Sequence, residues 1–161
     1  MASWEQIEAE APDLAGRARA LLDAHVHKTL ATTRRDGSPR ISGSEIIFAE
    51  GEIWFGSMWR SVKALDLLRD PRFAMHSGSM DPPDWPGDAK FAGRAVEVTD
   101  PEVISRVVTQ APPGPLHLFR AEITELVVVA LGEPPAPGET PDHIVIESWH
   151  PRRGVHRIER T

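Results

Sequence analysis

The chain has 161 residues, enough for one domain with its own core, and its 18 Lys and Arg against 24 Asp and Glu give a net charge of −6. That balance argues against a general nucleic-acid-binding role, because phosphate contacts need a basic face. The absence of cysteine excludes disulfide scaffolds, thiol nucleophiles and cysteine-ligated metals. No apolar run approaches the roughly 20 residues of a membrane span, and the acidic N-terminus is unlike a secretory signal. We therefore expect a cytoplasmic protein with no membrane partner.

The N-terminal segment is predicted to form two helices, at about 4–10 and 12–24. Ser3 and Gln6 fit a capping box, in which each side chain satisfies a free N–H of the first turn. Pro12 interrupts the segment and is tolerated best at the first position of a second helix. The buried stripe of that second helix is predicted to contain Leu14, Ala18, Leu21 and Leu22.

The next part of the chain predicts β-strands. A short strand over 29–33 is followed by a turn signal at Asp36-Gly37 and by a long strand, 40–49. A second turn at Glu50-Gly51 leads into a third strand, 53–57. Both turns are too short for parallel crossovers, so these strands are expected to pair antiparallel.

The remaining elements alternate between strands and two further helices. A helix is predicted over 61–69, with Val62, Leu65 and Leu68 as its buried stripe. Strands are predicted at 73–77, 89–99, 118–131, 144–149 and 155–158, a helix at about 100–110, and loops at 81–87, 111–115 and 132–141. Seven or eight antiparallel strands with four helices predict one mainly β domain over 1–161, an α+β fold whose strands close into a barrel.

The strand–helix junction at 56–63 is the most informative stretch chemically. A helix start presents unpaired N–H groups and a partial positive charge, which suit an anion such as phosphate. The hydroxyls and cations that could meet an anion there are Arg40, Ser42, Ser57, Arg60, Ser61 and Lys63. For the junction taken alone, the competing interpretation is a Ser61 that only caps the helix beside solvated Arg60 and Lys63.

Five short segments, in this order, resemble the pyridoxamine 5′-phosphate oxidase-like family of flavin- and deazaflavin-binding split-barrel proteins. They are His27–Thr32, Asp36–Ser42, Ile53–Ser57, the helix start with Lys63, and Leu68–Arg72. The resemblance covers about residues 25–100 and continues more weakly through 118–120 and 147–151. Each segment alone is weak evidence, and their shared order and spacing carry the resemblance.

The resemblance implies an antiparallel split β-barrel that forms a homodimer, with two flavin-type cofactors in grooves between the subunits. The family's phosphate-binding positions, on the long strand and at the helix start, correspond to Arg40, Ser42, Ser57, Ser61 and Lys63. The backbone around Ser57 and Met58 would flank the ring system. The implied cofactor is FMN, with the deazaflavin coenzyme F-420 as the alternative.

Two departures from the family pattern fall at this junction. Val62 stands where the family commonly has arginine, and Trp59-Arg60 replaces a small or proline–glycine loop. Arg60 is then a candidate for the missing charge, and Trp59 either stacks on the ring or blocks it. His76 is counted with the cofactor-binding residues as the nearest polar group of the substrate groove. A partly buried histidine with satisfied ring nitrogens is its competing interpretation.

The implied function is a flavin- or deazaflavin-dependent oxidoreductase that transfers hydride to or from an unidentified small molecule, with no catalytic acid or base assigned. Two alternatives stay open: a non-catalytic flavin-, deazaflavin- or haem-binding protein, and a structural dimer with an empty groove. The histidines lack metal-ligand spacing, so no metal site is predicted. The basic residues of 152–160 either face an anionic ligand or form a solvated hairpin edge.

Overall fold

The computed structural model describes residues 1–110, 113–136 and 138–161, and over these residues the chain forms four helices and nine strands. The helices are α1 (Trp4–Glu10), α2 (Pro12–Asp23), α3 (Val62–Arg69) and α4 (Pro101–Val107). The strands are β1 (Lys28–Thr33), β2 (Pro39–Ser44), β3 (Ile47–Ala49), β4 (Glu52–Met58), β5 (Arg72–His76), β6 (Asp88–Val98), β7 (Leu116–Leu131), β8 (Ile144–His150) and β9 (Gly154–Arg160). Parts of two predicted loops, residues 111–112 and 137, lie outside the described residues.

The N-terminal helices begin where the sequence caps them. The Ser3 N–H donates to Gln6 Oε1 at 2.9 Å, and the Gln6 N–H donates to Ser3 Oγ at 3.1 Å, which confirms the capping box. Pro12 is the first residue of α2, as predicted. The predicted stripe of α2 is also confirmed: three of its members are fully buried and Leu21 packs against the core at its edge.

The strands form one antiparallel sheet in the order β2-β1-β5-β6-β7-β4-β3, and the β8–β9 hairpin continues from β7. The two edge strands of this order, β2 and β3, are consecutive in the chain. The single stretch 39–49 therefore forms both edges of the sheet. The sheet is rolled into a barrel, but no hydrogen-bonded pairing between β2 and β3 closes it. This is the predicted mainly β, α+β class with an antiparallel split β-barrel.

One predicted element is wrong: residues 40–49 do not form a single strand. The strand ends at Ser44 and resumes at Ile47, because its two halves bond to different neighbours. β2 pairs with β1, whereas β3 pairs with β4 on the far side of the barrel. The chain therefore turns a corner at Glu45-Ile46, between the two edges of the sheet.

The core lies between the sheet and the two N-terminal helices. Its largest fully buried side chains include Trp4, Phe91 and Trp149, and the indole of Trp149 donates to Glu10 at 3.1 Å. A second, smaller cluster joins Trp54 and Leu118 of the sheet to α4. None of the helices in the described residues is long and apolar enough to span a membrane.

The predicted buried stripe of α3 is also wrong. Val62, Leu65 and Leu68 are 55%, 41% and 46% exposed. The helix instead turns Asp66 and its apolar neighbours Ala64 and Leu67 toward the sheet. The physical reason is electrostatic, since Asp66 is drawn into the sheet by hydrogen bonds described below, and this rotation leaves an apolar stripe on the surface.

Candidate functional site

The predicted junction forms a tight turn between β4 and α3. The Ser61 N–H donates to the Met58 carbonyl at 3.0 Å and closes the turn, in which Arg60 has a φ of +55°. Ser61 is the N-cap of α3, and its hydroxyl accepts from the Ala64 N–H at 3.4 Å. The Ser57 and Ser61 hydroxyls lie 2.5 Å apart, so the end of the strand and the start of the helix present one pair of hydroxyls.

Lys63 joins the same helix start to the opposite edge of the barrel. Its ammonium donates to the carbonyl of Gly43, on β2, at 2.5 Å. Burial lowers the pKa of Lys63, and the nearby Glu45 carboxylate partly opposes that shift. The side chain therefore bridges α3 and β2 rather than extending into bulk water.

A cavity of about 410 Å³ opens beside this junction. Its walls include the β2–β3 corner with Gly43 and Glu45, the end of β4 with Ser57 and Met58, and residues before and at the start of β7. Most of the other lining side chains are apolar, among them Leu116. A flat, largely apolar molecule with a polar group at the helix start would fit such a space.

Arg40 has a structural partner that the sequence did not reveal. Its Nε donates to Asp66 Oδ2 at 2.6 Å, and the buried carboxylate also accepts from Thr32 and Arg69, each at 3.1 Å. Burial raises the pKa of Asp66, but these three hydrogen bonds outweigh it and the pKa is lowered. Through Asp66, Arg40 links α3 to β1 and β2. The predicted phosphate contacts of Arg40 and of half-buried Ser42 remain predictions.

Trp59 and Arg60 are held by His117, a residue that the sequence pattern does not connect with this turn. The His117 side chain is buried, its Nε2 accepts from the Arg60 N–H at 3.2 Å, and its Nδ1 lies 2.6 Å from Glu97 Oε1. The Trp59 ring stacks on the imidazole at 4.6 Å between centroids and 11° between planes. Nothing local signals this contact, which depends on the pairing of Ser57 with His117 across β4 and β7.

His76 is the predicted residue that the structure sets apart. It pairs with Thr29, which in turn pairs with Gly43, so two strand spacings, about 10 Å, separate His76 from Gly43. Its Nδ1 lies 2.6 Å from the Ser77 carbonyl, which favours the interpretation of a satisfied, partly buried histidine. The structure therefore brings Ser57, Met58, Arg60, Ser61 and Lys63 together around one turn and leaves His76 outside it.

The two other sequence-level candidates have no ligand-like geometry. The described residues hold no group of three or more histidine and acidic side chains arranged to bind a metal ion. The basic strand of the C-terminal hairpin, β9, is almost wholly exposed, and Arg157 pairs with Glu159 on the same strand at 3.0 Å.

Comparison with known proteins assigns the fold to a family. The family model described as pyridoxamine 5′-phosphate oxidase matches residues 14–130. Among solved structures, PhzG from Burkholderia lata is 14% identical with a TM-score of 0.61, over 98% of this chain and 93% of that one. A pyridoxamine 5′-phosphate oxidase-related, FMN-binding protein from Nostoc punctiforme is 15% identical with a TM-score of 0.60, over 100% and 98%.

A third structure is that of the conserved hypothetical protein Rv2991 from Mycobacterium tuberculosis. It is 26% identical with a TM-score of 0.56, over 68% of this chain and 79% of that chain. The curated proteins contain no match to the sequence. Since the family model spans 14–130, well over half of the residues, the chain belongs to the pyridoxamine 5′-phosphate oxidase family.

Proposed function

We propose that this protein binds a flavin-type cofactor at the start of α3 and uses it as an oxidoreductase acting on a small molecule. The observation that carries the proposal is the Ser57–Ser61 hydroxyl pair, 2.5 Å apart, at the rim of a cavity of about 410 Å³. The FMN-binding description of the Nostoc relative supports the choice of a flavin.

The donor set at the junction fits a phosphate group. Of the two serine hydroxyl protons, one is used between Ser57 and Ser61, and the other is available to an anion. In the first turn of α3 the Ala64 N–H is capped by Ser61, whereas the N–H groups of Val62 and Lys63 have no partner within the helix. Lys63 would exchange its bond to the neutral Gly43 carbonyl for an ion pair with the phosphate, in which both partners carry a charge. Arg60, exposed at the same turn, adds a second cation.

The cavity fits the ring of such a cofactor. Met58 and Leu116 supply apolar contact, and the glycines of β2 and β4 leave room for a flat molecule. When bound, a flavin supplies the hydride chemistry, so the chain has only to hold the tail, orient the ring and limit access of water. This division of labour needs no catalytic acid or base.

FMN is the first choice of cofactor, with a deazaflavin as the alternative. FMN ends in one phosphate, which matches the single cluster of donors at Ser57, Ser61 and Lys63. A deazaflavin with a long anionic tail would use the extra positive charge of Arg60 beyond that cluster.

We further propose that a second copy of this chain covers the apolar stripe of α3. Val62, Leu65 and Leu68 recur every three residues, so they share one face of the helix and that face is exposed. Met58 and Trp59, both exposed, lie in the turn that directly precedes this helix. Contiguous exposed apolar surface beside a ligand groove is typical of protein interfaces. A homodimer would therefore bury the stripe and place each groove at the interface.

The test is a titration of purified protein with FMN, with riboflavin, which lacks the phosphate, and with a deazaflavin. Lys63→Ala is expected to weaken FMN binding about tenfold and leave riboflavin binding nearly unchanged, since a charge-assisted hydrogen bond is lost. Lys90→Ala, an exposed lysine on β6, is the matched control. No increase in melting temperature with any of the three ligands would overturn the proposal, because a ligand of the native state must stabilise it.

Turnover separates an enzyme from a carrier. Reduction of the bound cofactor by a nicotinamide donor supports the oxidoreductase. Binding without reduction by any donor supports the non-catalytic alternative.

A further inference from the structure

The turn that carries Arg60 requires support from outside. A φ of +55° is adopted readily by glycine and tolerated by asparagine and aspartate, whereas other residues meet a steric penalty there. The turn's own hydrogen bond, from the Ser61 N–H to the Met58 carbonyl, leaves the peptide between Trp59 and Arg60 to be fixed elsewhere. Its N–H is bound by His117, which lies 57 residues away in the chain.

The hydrogen bonds of His117 assign its tautomer. Its Nε2 faces the Arg60 N–H, a donor, so this nitrogen has to be the acceptor. A neutral imidazole has one acceptor and one donor nitrogen, so Nδ1 carries the proton and donates to Glu97 at 2.6 Å. Glu97 therefore orients the ring and fixes the tautomer that the turn requires.

Stacking restricts the imidazole further. Trp59 covers one face, and Phe119 lies in a stacked arrangement at 6.1 Å and 16°. His117 is buried, so rotation of its ring would break both stacks and both hydrogen bonds together. The imidazole ring therefore has one fixed orientation, and the Trp59–Arg60 turn packs against it.

We propose that His117, oriented by Glu97, is a positioning residue that holds Arg60 at the anion site of the α3 start; the inference rests on the proposed function. Among the described residues the exposed Arg60 guanidinium has no ion-pair partner, so the contacts that position Arg60 are those of its backbone. That backbone is held by the hydrogen bond from the Arg60 N–H to His117 Nε2. Arg60 then selects the phosphate-bearing form of the cofactor, and His117 acts only through Arg60.

The readout is the phosphate preference, defined as the Kd for riboflavin divided by the Kd for FMN. A purely structural role for His117 would lower both affinities and leave this ratio unchanged. Arg60→Asn removes the guanidinium but tolerates the left-handed backbone, so it defines the contribution of Arg60. We expect it to reduce the ratio about tenfold, the value of one charge-assisted hydrogen bond.

Two substitutions of His117 separate its ring from its acceptor. His117→Phe keeps an aromatic ring for the stack and loses both hydrogen bonds, and it is expected to reduce the ratio by most of the Arg60→Asn effect. His117→Gln keeps an acceptor and loses the ring, and it should retain the preference. Should His117→Phe fail to fold, Glu97→Ala makes the same test. Without Glu97 the imidazole proton is free to move from Nδ1 to Nε2, and Nε2 then no longer accepts from the Arg60 N–H.

The double substitution Arg60→Asn with His117→Phe completes the cycle. If His117 acts through Arg60, the double variant has the ratio of Arg60→Asn alone. A wild-type preference for FMN that His117→Phe leaves intact would overturn the role of His117 while the proposed function stands. A wild type that binds riboflavin as tightly as FMN would overturn the phosphate site itself, and the positioning role with it.

Discussion

Asp66→Asn is the sharpest test of how α3 is anchored. The wild-type carboxylate is 4% exposed and accepts from Arg40 at 2.6 Å and from Arg69 and Thr32 at 3.1 Å. The amide keeps the size of the side chain but removes its charge and turns an N–H toward a donor. Removing one partner of a buried ion pair typically costs about 3–5 kcal/mol.

The lower end of that range applies, because the two arginines retain some contact with water. The side chains of Arg40 and Arg69 are 21% and 34% exposed, so each can recover part of its solvation. We therefore expect a loss of about 3 kcal/mol in the free energy of unfolding. For a chain of this size each kcal/mol shifts the melting temperature by about 2–4 °C, which gives a decrease of about 6–12 °C.

Thermal denaturation followed by circular dichroism measures this decrease, and its pH dependence identifies the cause. The folded pKa of Asp66 lies below its unfolded value, so the stabilisation is fully present above about pH 4 and is lost as the pH falls through the folded pKa. The difference in melting temperature between wild type and Asp66→Asn should thus become smaller below about pH 4. Glu50→Gln, at a solvent-exposed pair with Arg106, is the control and should cause a much smaller shift. A melting temperature within about 2 °C of wild type at pH 7, or a gap constant from pH 3 to 7, would refute the reasoning.

Three further predictions concern the backbone and the surface. Gly93→Ala should lower the free energy of unfolding, measured by chemical denaturation, by about 2–3 kcal/mol, because the new Cβ would lie 2.1 Å from the Glu122 carbonyl oxygen at the β-bulge. Gly16→Ala is the control and should be neutral or stabilising, because Gly16 lies in α2 with open space around it. Arg60→Gly should raise the free energy of unfolding by up to about 1 kcal/mol and weaken FMN binding; a loss of stability would contradict the strain at φ +55°. Leu65→Lys should convert a dimer to a monomer in sedimentation without lowering monomer stability, and an unchanged dimer would exclude the stripe as its interface.

The features that the sequence predicted correctly are those with local causes. The Ser3–Gln6 box, Pro12 and the Asp36-Gly37 turn each act over a few residues, and each appears in the structure. The errors have non-local causes. The corner at Glu45-Ile46 exists because two halves of one stretch bond to opposite edges of the sheet.

The same division applies to the candidate site. Ser57, Ser61 and Lys63 lie within seven residues, so their clustering was predictable from one strand end and one helix start. The partners of Arg40 and Arg60 were not predictable, because Arg40 reaches Asp66 over 26 residues and Arg60 reaches His117 over 57. A spacing rule describes one element, whereas these contacts depend on which strands become neighbours.

Cofactor binding and dimerisation, as proposed above, both depend on the orientation of α3. A helix of eight residues is not stable alone in water, so its orientation has to come from tertiary contacts. Asp66 holds its inner face to β1 and β2, and Lys63 holds its first turn to β2, while its outer face carries the exposed apolar stripe. A second copy that covers the stripe would stiffen the same turn that presents Ser61 and Lys63. Cofactor binding and dimerisation should therefore strengthen each other, and FMN should lower the concentration at which the subunits associate.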